Sequence, residues 1–249
     1  MKYFFILVSF VPVLFGYQVG KSSIGGQLGF SSSEFSLDYG VPGVSDYEGD
    51  LSGFSFQLTG NINVLSKKSF GMDLYSNFSA SPSLNDTING VDIETGVYNL
   101  NASIRPYFRS GIFSPYLILG ISYNSFEIDE EGFSGWSKGT KFSPALGFGA
   151  SLEFTESLIF SPSFIWTKVE VPSVNGSWAG DIDFGSTNAL KFTFPLTYQV
   201  NENFSIGAEV SHTNFTEIDL EYNAGFLGII NPKVDYWITS LMFKSDFVF

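Results

Sequence analysis

Apolar and small polar residues alternate with a period of two along most of this chain. In residues 140–154, TKFSPALGFGASLEF, one face is Phe142, Pro144, Leu146, Phe148, Ala150, Leu152 and Phe154. The other is Lys141, Ser143, Ala145, Gly147, Gly149, Ser151 and Glu153. Residues 189–200 repeat the pattern, with Leu190, Phe192, Phe194, Leu196, Tyr198 and Val200 against Ala189, Lys191, Thr193, Pro195, Thr197 and Gln199. The final stretch, TSLMFKSDFVF, sets Leu241, Phe243, Ser245, Phe247 and Phe249 on one face, while Lys244 and Asp246 fall on the other. Alternation of this kind predicts strands with one apolar face. Residues 51–65, 96–108 and 204–215 follow it more loosely, and the Gly- and Ser-rich stretch 22–36 most weakly.

Four short turn signals begin at residues 66, 109, 155 and 201: SKKS, RSG, TES and NEN. Longer polar segments lie between them, near 38–50, 82–93, 127–139, 170–187 and 217–232. Together these predict an all-β, closed, antiparallel up-and-down barrel of ten strands, eight being the alternative if the Gly/Ser-rich first hairpin misleads. An even strand number with short turns at one end and long connections at the other is the layout of a transmembrane barrel.

Alternation does not say which face points outward. The strands exceed the roughly 9–11 residues that cross a bilayer. The polar face carries mostly Gly, Ser, Ala, Asn and Thr, too few charges for a water-facing surface. Aromatic residues gather at the strand ends. Phe70, Phe108, Phe113, Phe154, Phe204 and Phe249 lie beside the short turns, and Trp166, Trp237, Phe142, Phe78 and Phe215 near the long segments. Two such belts fit the two membrane interfaces. A strand tilted by about 40° climbs roughly 2.6 Å per residue, so Phe142 to Phe154 and Trp237 to Phe249 each span about 30 Å. The apolar face is therefore expected to meet lipid.

Composition sharpens the picture. Hydrophobic residues make up 44% of the chain and charged ones only 15%, too apolar for disorder and too poor in charge for an ordinary soluble surface. The net charge of −13 argues against a nucleic-acid partner. With 0 Cys, disulfides, thiolate metal sites and thiol nucleophiles are excluded; with 1 His, the usual metal and acid–base toolkit is almost empty, and no cofactor is implied. At the N-terminus, MKYFFILVSFVPVLFG has a positive Lys2, an apolar run from Tyr3 to Phe15 and the small Gly16. That run is shorter than the roughly 20 residues of a spanning helix. It reads as a secretory signal peptide over residues 1–16, leaving residues 17–249 as the barrel.

The terminal face Leu241, Phe243, Phe247 and Phe249 resembles the assembly signal of bacterial outer-membrane proteins, and Ser245 departs from it mildly. RPYF…SPYLILGISY, within residues 105–123, resembles the turns of small porin-like barrels. The chain is thus similar to the small bacterial outer-membrane β-barrel group that includes OmpA-, OmpX- and OmpW-like proteins. The resemblance implies the cell outer membrane as location, with lipid and the barrel-assembly machinery as partners. It implies little about activity. Two roles follow as expectations: a structural or surface-interaction barrel with acidic extracellular loops, or a narrow porin-like channel, with a small solute or extracellular ligand as partner.

Ten-stranded barrels include the omptin proteases, so His212 is the residue to test. Here Glu209-Val210-Ser211-His212 lacks the Asp two positions before the His. His212 also shares the register of Phe204, Ile206 and Val210, which points it to lipid near the outer belt. Ser211 and His212 are adjacent, hence on opposite faces of a strand. No enzyme is expected. Carboxylates crowd the long segments (Asp46, Glu48, Asp50, Asp86, Asp92, Asp129, Glu130, Glu131, Asp181, Asp183, Glu217, Asp219 and Glu221) without an EF-hand spacing, and read as a solvated surface. The inward charges balance in sign: Asp73, Glu153, Glu209 and Asp246 against Arg105, Lys141, Lys191 and Lys244. Counted from the inner belt, Asp73 stands level with Arg105, and Glu209 with Lys244. Both are expected to pair across neighbouring strands and narrow the bore.

Overall fold

The computed structural model describes residues 19–38, 47–88, 91–130, 133–137, 142–170, 174–176, 180–184, 186–223, 229–230 and 233–249. Its strands are β1 (Ser23–Asp38), β2 (Tyr47–Ser66), β3 (Phe70–Ile88), β4 (Val91–Phe108), β5 (Phe113–Glu130), β6 (Phe133–Ser137), β7 (Ser143–Glu153) and β8 (Leu158–Phe160). After these come β9 (Ser163–Glu170), β10 (Val174–Gly176), β11 (Gly180–Phe184), β12 (Ser186–Asn201), β13 (Phe204–Asn223), β14 (Ile229–Ile230) and β15 (Lys233–Val248).

These segments assemble into ten staves. β6 continues the stave of β7 along β5, β11 continues β12 along β13, and β14 continues β15 along β13. β10 lies above β9 on the neighbouring β11. β8 and β9 are one stave interrupted at Ser161-Pro162, where Pro162 brings no backbone N–H to the ladder. Ser161 N–H still bonds Pro195 O at 3.1 Å, and Ala150 N–H bonds Pro162 O at 3.1 Å, which carries the sheet across the break.

β1 pairs antiparallel with β2 on one side and with β15 on the other, so the sheet closes on itself. Closure satisfies every strand edge from within, the condition for strands in a bilayer. The Gly/Ser-rich β1 is a full-length stave, from Ser23 opposite Val248 to Asp38 opposite Lys233. The short turns, β1's start and β15's end share one rim. The turn between β4 and β5 uses Gly111 at φ 60°, a left-handed conformation that glycine adopts freely.

The apolar and polar faces are inverted relative to a soluble protein. Phe30 is 69% exposed and Phe243 62%, whereas Asp73 and Asp246 are 0% exposed. The inner-rim rings of Phe70, Phe108, Phe113, Phe154 and Phe249 are also exposed on the outside. At the other rim, Phe142 stacks on Tyr123 at 5.5 Å between centroids.

Three expectations need correction. The polar segments 82–93 and 217–232 are largely strand: β3 runs to Ile88, β4 starts at Val91 and β13 runs to Asn223. A hairpin ladder satisfies its own backbone groups in water, so a polar sequence does not end it. Phe215 does not join the outer belt. It is 5% exposed and turned inward, packed with Val169 and Ala189 and against Tyr236 and Ile238. Glu153, counted as a lumen charge, is exposed because it lies at the rim where β7 ends. Lys141, Asp46 and Glu131 lie outside the described residues.

Candidate functional site

The bore is built by the inward positions of every stave. Two cavities lie along it. The lower, of about 60 Å³, is lined from all ten staves, including Gln27, Tyr75, Arg105, Tyr116, Glu209 and Lys244. The upper, of about 110 Å³, is lined by Ser55, Ser81, Asn99, Asn124, Ser211 and others. Gln57, Asn101, Ile165, Lys191 and Glu209 line both, so they form the waist between the two.

Polar bands run along part of the wall, each across four neighbouring staves. Ser31 Oγ lies 2.5 Å from Ser55 Oγ and 2.6 Å from Ser240 Oγ, and Ser55 Oγ lies 2.5 Å from Ser81 Oγ. An amide chain runs below it: Asn77 Nδ2 donates to Gln57 Oε1 at 3.2 Å, and Asn101 Nδ2 to Asn77 Oδ1 at 2.9 Å. Asn101 also bonds Asn99, whose Nδ2 donates to Asn124 Oδ1 at 2.5 Å. These hydroxyls and amides satisfy one another in a space too narrow to hydrate each separately. Above them, the cluster around Phe215 is apolar.

The charged residues sit in the lower half. Asp73 and Arg105 are register partners across β3 and β4, as counted from the aromatic belt. Asp73 Oδ2 accepts the N–H of Gly20 at 2.9 Å, and Oδ1 accepts Asn63 Nδ2 at 2.6 Å. The Arg105 guanidinium lies 3.5 Å over the Tyr75 ring, with the Tyr116 ring at 5.7 Å. The second expected pair is offset. Glu209 faces Met242 and Lys244 faces Gly207, because Phe204 registers with Phe247 rather than with Phe249. Glu209 and Lys244 are therefore diagonal neighbours. Glu209 Oε2 accepts Gln27 Nε2 at 3.2 Å, and Gln27 is the register partner of Lys244 on β1. Asp246 accepts Ser205 Oγ at 2.5 Å. Lys191 lines both cavities from β12.

Gln27, Asn63, Tyr75 and Tyr116 were not singled out from the sequence, although their inward parity could have marked them. The rim contacts of residues 19–22 had no such signal, because that segment precedes the alternation.

His212 faces outward, as its register predicts. Its Nδ1 lies 2.9 Å from Thr239 Oγ1, and its ring sits 5.7 Å from that of Trp237. Ser211 is buried on the opposite face. Among the described residues, no group of three or more His, Cys, Asp or Glu side chains could hold a metal ion. The terminal residues Leu241, Phe243, Phe247 and Phe249 all point outward, from 42% to 68% exposed.

The family model for the outer membrane protein beta-barrel domain matches residues 4–163. Among solved structures, the outer membrane protease OmpT from Escherichia coli is similar at a TM-score of 0.59 and 12% identity, over 94% of this chain and 99% of that one. The transport unit of the autotransporter AIDA-I, also from Escherichia coli, is similar at 0.51 and 10% identity, over 100% and 97% of the two chains. At these identities the likeness is one of fold. No curated protein matches the sequence.

Proposed function

The chain belongs to the outer-membrane β-barrel family, and from that premise we propose that it is a structural barrel of the bacterial outer membrane, closed inside and presenting acidic hairpin ends outside. The observation that carries this reading is the filled bore. Hydroxyl and amide bands bond across neighbouring staves, and an apolar cluster around Phe215 narrows the upper part from one side. The balance of signs supports it as well. Among the described residues, the inward carboxylates Asp73, Glu209 and Asp246 equal in number the inward cations Arg105, Lys191 and Lys244, whereas an ion-selecting pore favours a one-sided ring. Outside, the exposed side chains of Glu48, Asp50, Asp86 and Glu94 would meet a basic partner surface or solvent.

The fold shared with a protease brings no chemistry of its own to this chain. We read the protein as non-enzymatic, because its one His is outward, against Thr239 and Trp237.

A narrow channel for small solutes is the second reading. It draws on the two polar cavities that meet at Lys191 and Glu209. Planar-bilayer recording on refolded protein separates the two. The structural reading expects a flat trace, and reproducible unitary steps would replace it with the channel.

A further inference from the structure

The residues just before β1 do not run along the wall. Val19, 7% exposed, packs with Tyr107, Tyr116 and Ile118 on β4 and β5. Ser23 then begins β1, three staves away around the ring. Residues 19–22 therefore cross the inner mouth, and they are held on the way. Gly20 N–H donates to Asp73 Oδ2 on β3 at 2.9 Å. Lys21 O accepts Asn61 Nδ2 on β2 at 2.7 Å, and Lys21 Nζ donates to Gln199 Oε1 on β12 at 3.2 Å. Ser22 Oγ accepts the Asn63 N–H at 3.1 Å, and Ser22 O accepts the Phe249 N–H at 3.0 Å.

The reception is made by groups suited to a peptide. An apolar pocket takes one side chain, a carboxylate takes a backbone N–H, and a carboxamide takes a backbone C=O. Asn63 Nδ2 reaches both Asp73 Oδ1 and, at 3.0 Å, the Tyr107 hydroxyl, which joins the carboxylate to the pocket wall. The fit is close at Gly20, where φ is +72° and a Cβ would stand 1.9 Å from Arg109 Nη2. Residues 19–21 lie outside the strand ladder, which begins with the Ser22–Phe249 bond, so they can leave the mouth without unpairing a stave. Directly above it is the lower cavity.

We propose that the inner mouth of the barrel is a binding site for a short peptide segment with an apolar residue followed by glycine, that residues 19–22 occupy it in cis, and that residues 19–21 act as a detachable plug over the lower cavity. The proposal goes beyond the structural-barrel reading and does not depend on it, since a plugged mouth is compatible with a closed or a conducting waist.

The test uses the absence of native cysteine, 0 in the whole chain. Ser103→Cys places a single thiol on the wall of the lower cavity. The otherwise intact chain is refolded in detergent, and labelling by a water-soluble maleimide is timed. Val19→Asp and Gly20→Val are added to eject the plug, with heat-modifiable migration as the check on folding. Labelling is expected to quicken at least tenfold in both. A synthetic peptide of residues 17–22 should slow it again, and the same peptide carrying Val19→Asp should not. Equal rates in the folded intact and substituted chains overturn the proposal, and so does a peptide without effect. Should the ejecting variants not fold, Asn61→Ala removes one contact to the plug and must quicken labelling several-fold. An unchanged rate there overturns it as well.

Discussion

Asp73 and Arg105 face each other in register across β3 and β4, 0% and 6% exposed. Asp73 holds Gly20 and Asn63, and Arg105 lies over Tyr75; the register adds an expected ion pair between the two. Removing one member of a desolvated ion pair typically costs about 3–5 kcal/mol, because the other charge stays buried. We expect Arg105→Ala to lower unfolding stability within that range, and the double substitution with Asp73→Ala to recover part of the loss. The diagonal pair Glu209 and Lys244 should couple more weakly, since Gln27 already donates to Glu209. Chemical denaturation of the refolded barrel measures both cycles. Strict additivity in each would show that the charges do not interact.

Much of this was legible because a membrane barrel writes its faces into the sequence. A one-residue slip would turn Phe243 and Leu241 into the bore and Lys244 toward lipid, so the parity of each stave is fixed by its apolar face. The level of Asp73 with Arg105 followed directly from Phe70 and Phe108, which are register partners. Counting from Phe204 and Phe249 misplaced Glu209 by two residues, since a barrel closes with a stagger that no single strand records. The extended hairpins were missed because polar strands in water carry no lipid-facing stripe. Nearness to the outer end suggests a belt position for Phe215, but its odd parity in β13 turns it inward.

The ring of Phe249 stands 68% exposed at the inner rim, continuing the outward row of Phe247, Phe243 and Leu241. A residue there gives up little packing within the barrel, so its role is expected in assembly. Phe249→Ala should reduce the folded, heat-modifiable fraction in cell envelopes several-fold while leaving refolding yield in detergent nearly unchanged. Equal envelope levels of the variant and the parent would remove the terminal row as a recognition element.

The apolar run from Tyr3 to Phe15 is expected to act as a signal and be cut after Gly16. Intact-mass measurement of protein extracted from outer membranes should give a chain beginning at or near Tyr17. A mass retaining residues 1–16 would overturn the processing and would leave a long apolar extension on the segment that enters the inner mouth.

Phe215 and Phe142 give a paired test of which way the wall faces. The two rings lie toward the same end of the barrel, yet Phe215 is 5% exposed among Val169, Ala189, Tyr236 and Ile238, and Phe142 is 59% exposed on the outside. The Phe215 centroid lies 5.1 Å from that of Tyr236. Truncating a buried phenylalanine leaves a cavity that its neighbours fill only in part, at a cost of about 3–5 kcal/mol. Phe142 packs against Tyr123 from an exposed position. Detergent or lipid fills its place when it is cut back. Phe215→Ala should therefore destabilise the refolded barrel by about 3 kcal/mol or more, and Phe142→Ala by less than about half of that. If the bore is closed at its upper end by this cluster, Phe215→Ala should also admit a small thiol reagent to Ser211→Cys, which the parent barrel shields, while Phe142→Ala should not. Equal destabilisation by the two substitutions, with no change in access to residue 211, would mean that the Phe215 ring does not close the upper bore.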